Sequence, residues 1–367
     1  MKIFFKRFWV FIPLILAAAM FFLLPHFPWF AEYVCSRGLF KIVTYPLGFL
    51  TSLVPISLTE LAVILALPAL VFVIVLLVVK LKKSDSRKKT LLGAGKIAVG
   101  TLSIACLVYM ICHGANFYRY PMEKIMELDT SQENRKNAQQ LYTVCVELAK
   151  GAAEARAELG TPDDEVYKFS ESIFTELTRT GSGYDKLTEE YGFLKCAVFR
   201  QKPVMLSEPW SYTRIVGMYF PFFAECNINT AQPDYAIPFT AAHESAHSRG
   251  IALENECNFL AFLSCINSEY PEFRYSGYME TLTYCSNELL AANRELWREF
   301  RQYVTQGMAL DFAATNAYID AHESKVGEVS TEVNNTFISS QGVPEGTLSY
   351  GRVTELVLAY YEKAGVI

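Results

Sequence analysis

The sequence predicts a mainly helical α+β protein in which N-terminal transmembrane helices precede a domain carrying a small sheet. Hydrophobic residues make up 51% of the 367-residue chain and charged residues 19%, and the mean hydropathy of +0.18 is high for a water-soluble protein of this length. The apolar excess lies before residue 117. Beyond it, helix start and stop signals recur, while β-branched and aromatic runs are confined to residues 193–230.

Residues 1–116 are expected to form a membrane domain. The runs of about Phe8–Leu24, Ile56–Val79 and Leu91–Cys112 reach the roughly 20 residues that a helix needs to cross a bilayer. Pro13 and Pro68 fall inside the first two, where a membrane helix tolerates proline. Lys2, Lys6 and Arg7 before the first run also fit a signal peptide. Against that, Ala17-Ala18-Ala19 is followed by the apolar Met20–Leu24, and two further spans come after it. The linker Lys80–Lys89 carries six basic residues against Asp85, so it and the basic N-terminus are expected on the cytoplasmic side. Three spans then leave residues 25–55 and everything after 113 outside. Trp29, Tyr33 and the amphipathic run through Leu39, Phe40 and Ile42 predict a short interfacial helix. His26 and His113, which flank spans, read as interfacial polar residues.

Residues 117–367 form the second predicted domain. Of the 33 Lys/Arg and 38 Asp/Glu, 12 basic and three acidic residues lie before 117, which leaves 21 against 35 beyond it, a net charge of −14. That balance excludes a nucleic-acid surface, which needs a basic stripe. Nine cysteines include no C-x-x-C pair, so a cysteine zinc site is not expected; disulfides and buried thiols both stay open. Helices are expected over about Ser131–Leu159, ended by Gly160, and from Thr161 to Thr178. The second opens on an N-cap threonine, Pro162, and acids at 163 and 164, and stops at Gly181-Ser182-Gly183. Cys196–Phe199 and Ile215–Phe220 read as strands. Further helices are expected at Glu254–Ile266, Gly277–Glu299, Phe312–Ile319 and Val353–Lys363.

The segment Pro238-Phe239-Thr240-Ala241-Ala242-His243-Glu244-Ser245-Ala246-His247-Ser248-Arg249-Gly250 contains H-E-x-x-H inside a helix bracketed by proline and glycine. His243 and His247 then project from one face one turn apart, where both imidazoles reach a single tetrahedral zinc. Glu244 is turned away by about 100°, a position suited to a general base acting on water beside the metal. Only five histidines occur in the chain, which makes chance spacing a poor explanation. A catalytic zinc needs a third protein ligand. The last histidine of the longer H-E-x-x-H-x-x-G-x-x-H signature would fall on Leu253, so the ligand is expected from the next helix: Glu254, with Glu256 as the alternative. Asn258, at i+4 from Glu254, is placed to support it from behind.

These residues resemble gluzincin-type zinc peptidases, whose glutamate ligand lies in an E-x-x-A-D or E-x-x-A-N helix; here the stretch reads Glu254-Asn255-Glu256-Cys257-Asn258, with cysteine in place of alanine. The chain is also similar to a family of uncharacterised bacterial membrane proteins with a few N-terminal spans and an H-E-x-x-H domain. The matching segments are Trp210–Tyr212, Tyr219–Asn227, Pro238–Gly250, Tyr275–Tyr278 and Ser349–Arg352. The resemblance implies a zincin-like fold, Zn2+ as cofactor, and a peptidase, as an endopeptidase, in the bacterial cell membrane. Its partners would be the lipid bilayer and exported or envelope peptides and proteins. The alternative is a non-catalytic zinc-binding membrane protein that acts as a sensor or scaffold.

Three other groups enter as candidates. Tyr350 and Arg352 sit in a Gly-flanked loop and could stabilise an oxyanion, with loop packing or a surface ion pair as the plainer reading; Tyr278 is a lesser candidate. The Met218–Asn227 run is a candidate edge strand for an extended peptide. His322 has no second histidine nearby and reads as a helix-surface residue.

Overall fold

The computed structural model describes residues 9–130, 137–196, 199–341 and 351–367. Helix α1 (Ile12–Leu23) lies between short 3-10 turns, a π-helical stretch Ala31–Phe40 runs into α2 (Lys41–Ser52), and α3 (Leu58–Lys83) and α4 (Arg87–Cys112) follow. Three helical segments, Trp9–His26, Leu58–Lys83 and Arg87–Cys112, are long and apolar enough to cross a membrane. The expected linker Lys80–Lys89 shrinks to Ser84–Ser86 because lysine and arginine are good helix formers and favour a helix C-terminus.

The expected short interfacial helix is instead a long helical excursion docked on the rest of the protein. Glu32 is buried between Arg37 and Arg119, with Nε–Oε distances of 2.6 and 2.8 Å. Lys41 Nζ donates to the Phe193 carbonyl at 2.9 Å. At the start of α3, Ser57 Oγ donates to Asn227 Oδ1, and Glu60 accepts the backbone N–H groups of Met205 and Leu206.

Beyond these helices, α5 (Ala138–Leu159) begins on an Asn137 cap and ends at Gly160 in the left-handed region, φ +69°. No helix opens at Thr161. Asp163 Oδ1 instead accepts from Thr305 Oγ1 and Gly307 N, 3.0 and 2.9 Å away. The carbonyls of Pro162 and Glu165 take Arg156 Nη2, and Tyr167 N donates to Asp311 Oδ1. These tertiary partners replace the intrahelical ladder, and α6 covers only Ile173–Thr178, capped by Ser172. The Gly181-Ser182-Gly183 break is instead the entry to α7 (Ser182–Glu190), where a side chain on Gly183 would collide with the Ser264 carbonyl.

The sheet has three strands, β1 (Gln201–Pro203), β2 (Gly217–Phe220) and β3 (Glu225–Ile228), in the order β1-β3-β2, with β3 parallel to β1 and antiparallel to β2. Cys196 and Phe199 lie outside any strand, and 197–198 are outside the described residues. The Phe199 ring is committed to α2, lying where a Cβ on Gly48 would stand.

Helix α8 (Ile237–His247) packs between the sheet and two helices, α9 (Glu254–Ile266) and α10 (Pro271–Ala292). The expected 277–299 helix divides at Asn293, whose side chain accepts Glu295 N and Leu296 N and starts α11 (Arg294–Phe300). Then come α12 (Gln306–Ala321), α13 (Lys325–Ser340), which the sequence reading missed, and α14 (Gly351–Lys363). Phe259, Phe262, Tyr275, Met279 and Val357 form part of the main core. All nine cysteines are free thiols.

Candidate metal centre

Every residue of α8 is buried except His243, which keeps a small exposed edge toward a cavity. The helix ends in a tight turn at Gly250, φ +85°, a conformation that favours glycine. A side chain there would also press on the Phe40 ring, 3.2 Å from the ideal Cβ position. The turn points the Ile251 carbonyl back at His247 Nδ1, 2.9 Å away. Four residues past Gly250 the chain starts α9 at Glu254.

This geometry joins the two helices at one point. Glu254 Oε2 is 3.2 Å from His243 Nε2, and Oε1 is 3.7 Å from His247 Nε2. Asn258, one turn further along α9, places Oδ1 2.7 Å from His243 Nδ1. Both Nδ1 atoms face oxygen acceptors, so both carry the proton and both Nε2 lone pairs are left for an electrophile. Ligands at about 2.0–2.2 Å in a tetrahedron stand about 3.3 Å apart. The separation of 3.2 Å is close to that edge length and that of 3.7 Å somewhat longer, so His243, His247 and Glu254 are the residues that would hold a zinc ion here.

Electrostatics follow the same contacts. Burial alone would depress His243, but the hydrogen bond and charge of Glu254 outweigh it and raise the imidazole to about 9. Burial opposes ionisation of Glu254, yet the two histidines hold it at about 2. Each partner therefore stabilises the other's charged form, and a divalent cation would take the place of the proton on His243.

Glu244 lies beside this trio. Burial raises its carboxyl to about 7 against the charge of His243, and it accepts the backbone N–H of Tyr219 on β2. Its Oε2 is buried without a hydrogen-bond partner. By the antiparallel alternation, Gly217 and Tyr219 turn their backbone groups away from β3 and toward α8. A Cβ on Gly217 would overlap Glu244 Oε1. Edge strand β2 thus runs along the site, whereas Glu225–Asn227 of the expected edge run belong to the central strand β3.

The remaining candidates separate clearly. Glu256 points away from the histidines, and its Oε1 accepts Met122 N at 2.7 Å. Asn258 supports His243 rather than Glu254. Arg352 is exposed at the start of α14, and Tyr350 lies outside the described residues. The Tyr278 ring packs over Gly151 of α5. His322 is buried rather than on a surface, between the Tyr318 carbonyl and Glu208. Cys257 Sγ forms a close group with the histidines, but it meets His247 on the Nδ1 side at 3.3 Å, and burial pushes its thiol well up.

Three contributors were missed. His113, directly after α4, packs into the site: its ring centroid is 5.7 Å from that of His247 and 6.2 Å from that of Tyr219. Burial, then the charge of His247, depresses it to about 3, so it is a neutral imidazole. A lone histidine at a span end has no spacing signal. Gly217 had none either, and neither did Glu280 of α10, which lines the same cavity of about 830 Å³. Walls of that cavity also come from α12 and α13, through Thr315, Tyr318 and Phe337.

The model of a family described as "protein of unknown function (DUF3810)" matches residues 35–358. The chain belongs to this family. No curated protein and no solved structure matches it. The DUF3810 match takes in α2 through most of α14 and so covers every residue of the candidate centre, together with two of the three candidate membrane helices.

Proposed function

We propose that this protein is a membrane-anchored zinc peptidase that cleaves exported or membrane-exposed polypeptides. The observation that carries the reading is the convergence of His243 Nε2, His247 Nε2 and the Glu254 carboxylate at separations of 3.2 and 3.7 Å, with an unpartnered Glu244 oxygen beside them. A zinc ion held there would supply a Lewis acid that polarises a peptide carbonyl and acidifies water. Glu244 Oε2 takes the proton of the attacking water and passes it to the leaving amide nitrogen. The N–H of Tyr219 keeps the Glu244 carboxylate turned toward the cavity. Asn258 and the Ile251 carbonyl hold the two imidazoles in the tautomer that leaves Nε2 bare.

Anchoring supports the choice of substrate. The large exposed apolar residues of α4 end at Ile104, and His113 follows nine residues later, about 14 Å along the helix axis. The basic residues at the α3–α4 turn lie at the opposite end of those helices, which by the positive-inside rule supports a centre outside the cytoplasm. A site that close to the bilayer meets envelope proteins and the exposed loops of membrane proteins first.

The test is Glu244→Gln in the full chain, reconstituted in lipid nanodiscs. Zinc content should remain at one per chain while hydrolysis of a peptide library falls by at least a hundredfold. Unchanged hydrolysis would remove Glu244 as the base. Stoichiometric zinc with no hydrolysis by the unmodified protein would favour a sensor or scaffold.

A further inference from the structure

Glu280 is a carboxylate with no assigned work. It projects from α10 into the same cavity as the candidate metal centre, and among the described residues it has no hydrogen bond or ion pair. Neighbouring hydroxyls are committed elsewhere: Tyr235 and Thr315 share a hydrogen bond of 2.6 Å, and Tyr318 donates to Ser211. Burial alone pushes the Glu280 carboxyl up to about 7, so its charge is held at a cost to the fold.

The charge balance of the cavity sharpens this. Its described acids are Glu244, Glu254 and Glu280, and its one Lys/Arg is Arg214. Glu254 faces the two histidines, and Glu244 faces Tyr219 N–H. Among the described residues, Glu280 is the one of these three acids with neither a hydrogen bond nor an ion pair, and Arg214 pairs with none of them. Its place relative to the centre follows from the helix crossing. Phe239 N of α8 donates to Ser276 Oγ of α10 at 2.9 Å; His243 is one turn on from Phe239, and Glu280 is one turn on from Ser276. Glu280 and His243 are thus separated by on the order of 10 Å, which an extended peptide spans in about three residues.

We propose that Glu280 is the specificity residue of this site and receives a cationic group of the substrate, an ammonium or guanidinium, within about three residues of the scissile bond. The inference rests on the peptide-cleaving reading for its substrate class, but it is tested by binding as well as by cleavage. The cation pairs with the Glu280 carboxylate, and a peptide lacking it leaves that carboxylate desolvated and alone. A peptide with a neutral isostere is therefore disfavoured twice, once for the lost pair and once for the buried carboxylate.

The experiment uses the full chain in nanodiscs and acetylated hexapeptides that differ at one position, scanned along the peptide: lysine, arginine or norleucine. The norleucine peptide with a free amino terminus forms a further arm. Binding is measured on Glu244→Gln and on Glu244→Gln/Glu280→Gln, and kcat/KM on the unmodified protein and on Glu280→Gln. Lysine or arginine at one position should bind at least tenfold tighter than norleucine, with the ratio falling toward one when Glu280 is glutamine. If the free-amine peptide alone shows the gain, the cation is the substrate's own amino terminus, and Glu280 still receives it. Equal binding of lysine and norleucine peptides, or a preference that survives Glu280→Gln, overturns the proposal. Basic peptides that bind through Glu280 but are never cut would uphold the cation site and defeat the peptidase reading. Cooperative thermal unfolding of Glu280→Gln at or above the temperature of the unmodified protein excludes misfolding as the cause of a lost preference.

Discussion

Gly217 of β2 and Glu244 of α8 are in such close contact that the glycine has no room for a side chain beside the carboxylate. The sheet and the H-E-x-x-H helix therefore meet at the group proposed as the base. Gly217→Ala should push the carboxylate off the Tyr219 N–H, because the methyl competes with Glu244 and not with the backbone ladder. The expected outcome is a fall in kcat/KM of a hundredfold or more, with zinc content unchanged. Equal rates for Gly217→Ala and the unmodified protein would show that Glu244 does not depend on this wall.

The two acids of α9 should separate in a metal assay. Glu254→Ala removes the carboxylate that faces both histidines and should abolish stoichiometric zinc. Glu256→Gln keeps an acceptor for Met122 N and should retain zinc. Asn258→Ala frees His243 Nδ1 and should weaken zinc by about 10–100-fold. Metal analysis after dialysis against graded chelator reads all three; zinc retained by Glu254→Ala would place the third ligand elsewhere.

Much of this centre was legible in the sequence because it is local. His243, Glu244, His247 and Glu254 fall within twelve residues, and helical spacing with one glycine turn is enough to bring them together. Tyr219 lies in the run read as a candidate edge strand, whereas Gly217, His113 and Glu280 come from other elements and carry no spacing signal of their own. The same contrast runs through the fold. The three apolar spans and α9 follow from composition and period, whereas the Thr161 start signal failed because Asp163 caps α12 instead of its own segment. Local propensity lost to a partner more than 140 residues away.

Glu280 should make stability depend on pH. Its folded-state carboxyl is raised from 4.5 to about 7 by burial, so the folded protein holds the proton more tightly than the unfolded chain. The resulting stabilisation is complete below about 4.5 and is lost as pH rises through about 7. The full shift corresponds to about 3 kcal/mol, and the side chain's partial contact with cavity water reduces that. Glu280→Gln should unfold like the unmodified protein at pH 4 and at a higher temperature at pH 8. A constant difference across that range would mean that burial does not strain the carboxylate.

The part of the chain beyond residue 116 should not stand alone. Sequence composition puts a boundary near residue 116, yet the segment 31–60 supplies partners to groups buried in the C-terminal part. Lys202 and Glu225 are 1% exposed or less and form an ion pair; Lys202 also donates to the Thr51 carbonyl, and Glu225 accepts Thr59 N and Thr59 Oγ1. Arg119 would lose Glu32, and Asn227 would lose Ser57. A fragment 117–367 keeps the Lys202–Glu225 pair but leaves Arg119, Lys202, Glu225 and Asn227 without their partners from 31–60, and removing a partner from one buried charge typically costs about 3–5 kcal/mol. Several such losses approach the whole stability of a domain. The fragment should therefore show early, non-cooperative unfolding and weak zinc retention, while a fragment beginning near residue 28 with the two spans retained should match the full chain. Cooperative unfolding of 117–367 at the temperature of the full chain would show that the segment 31–60 merely rests on the domain that holds the centre.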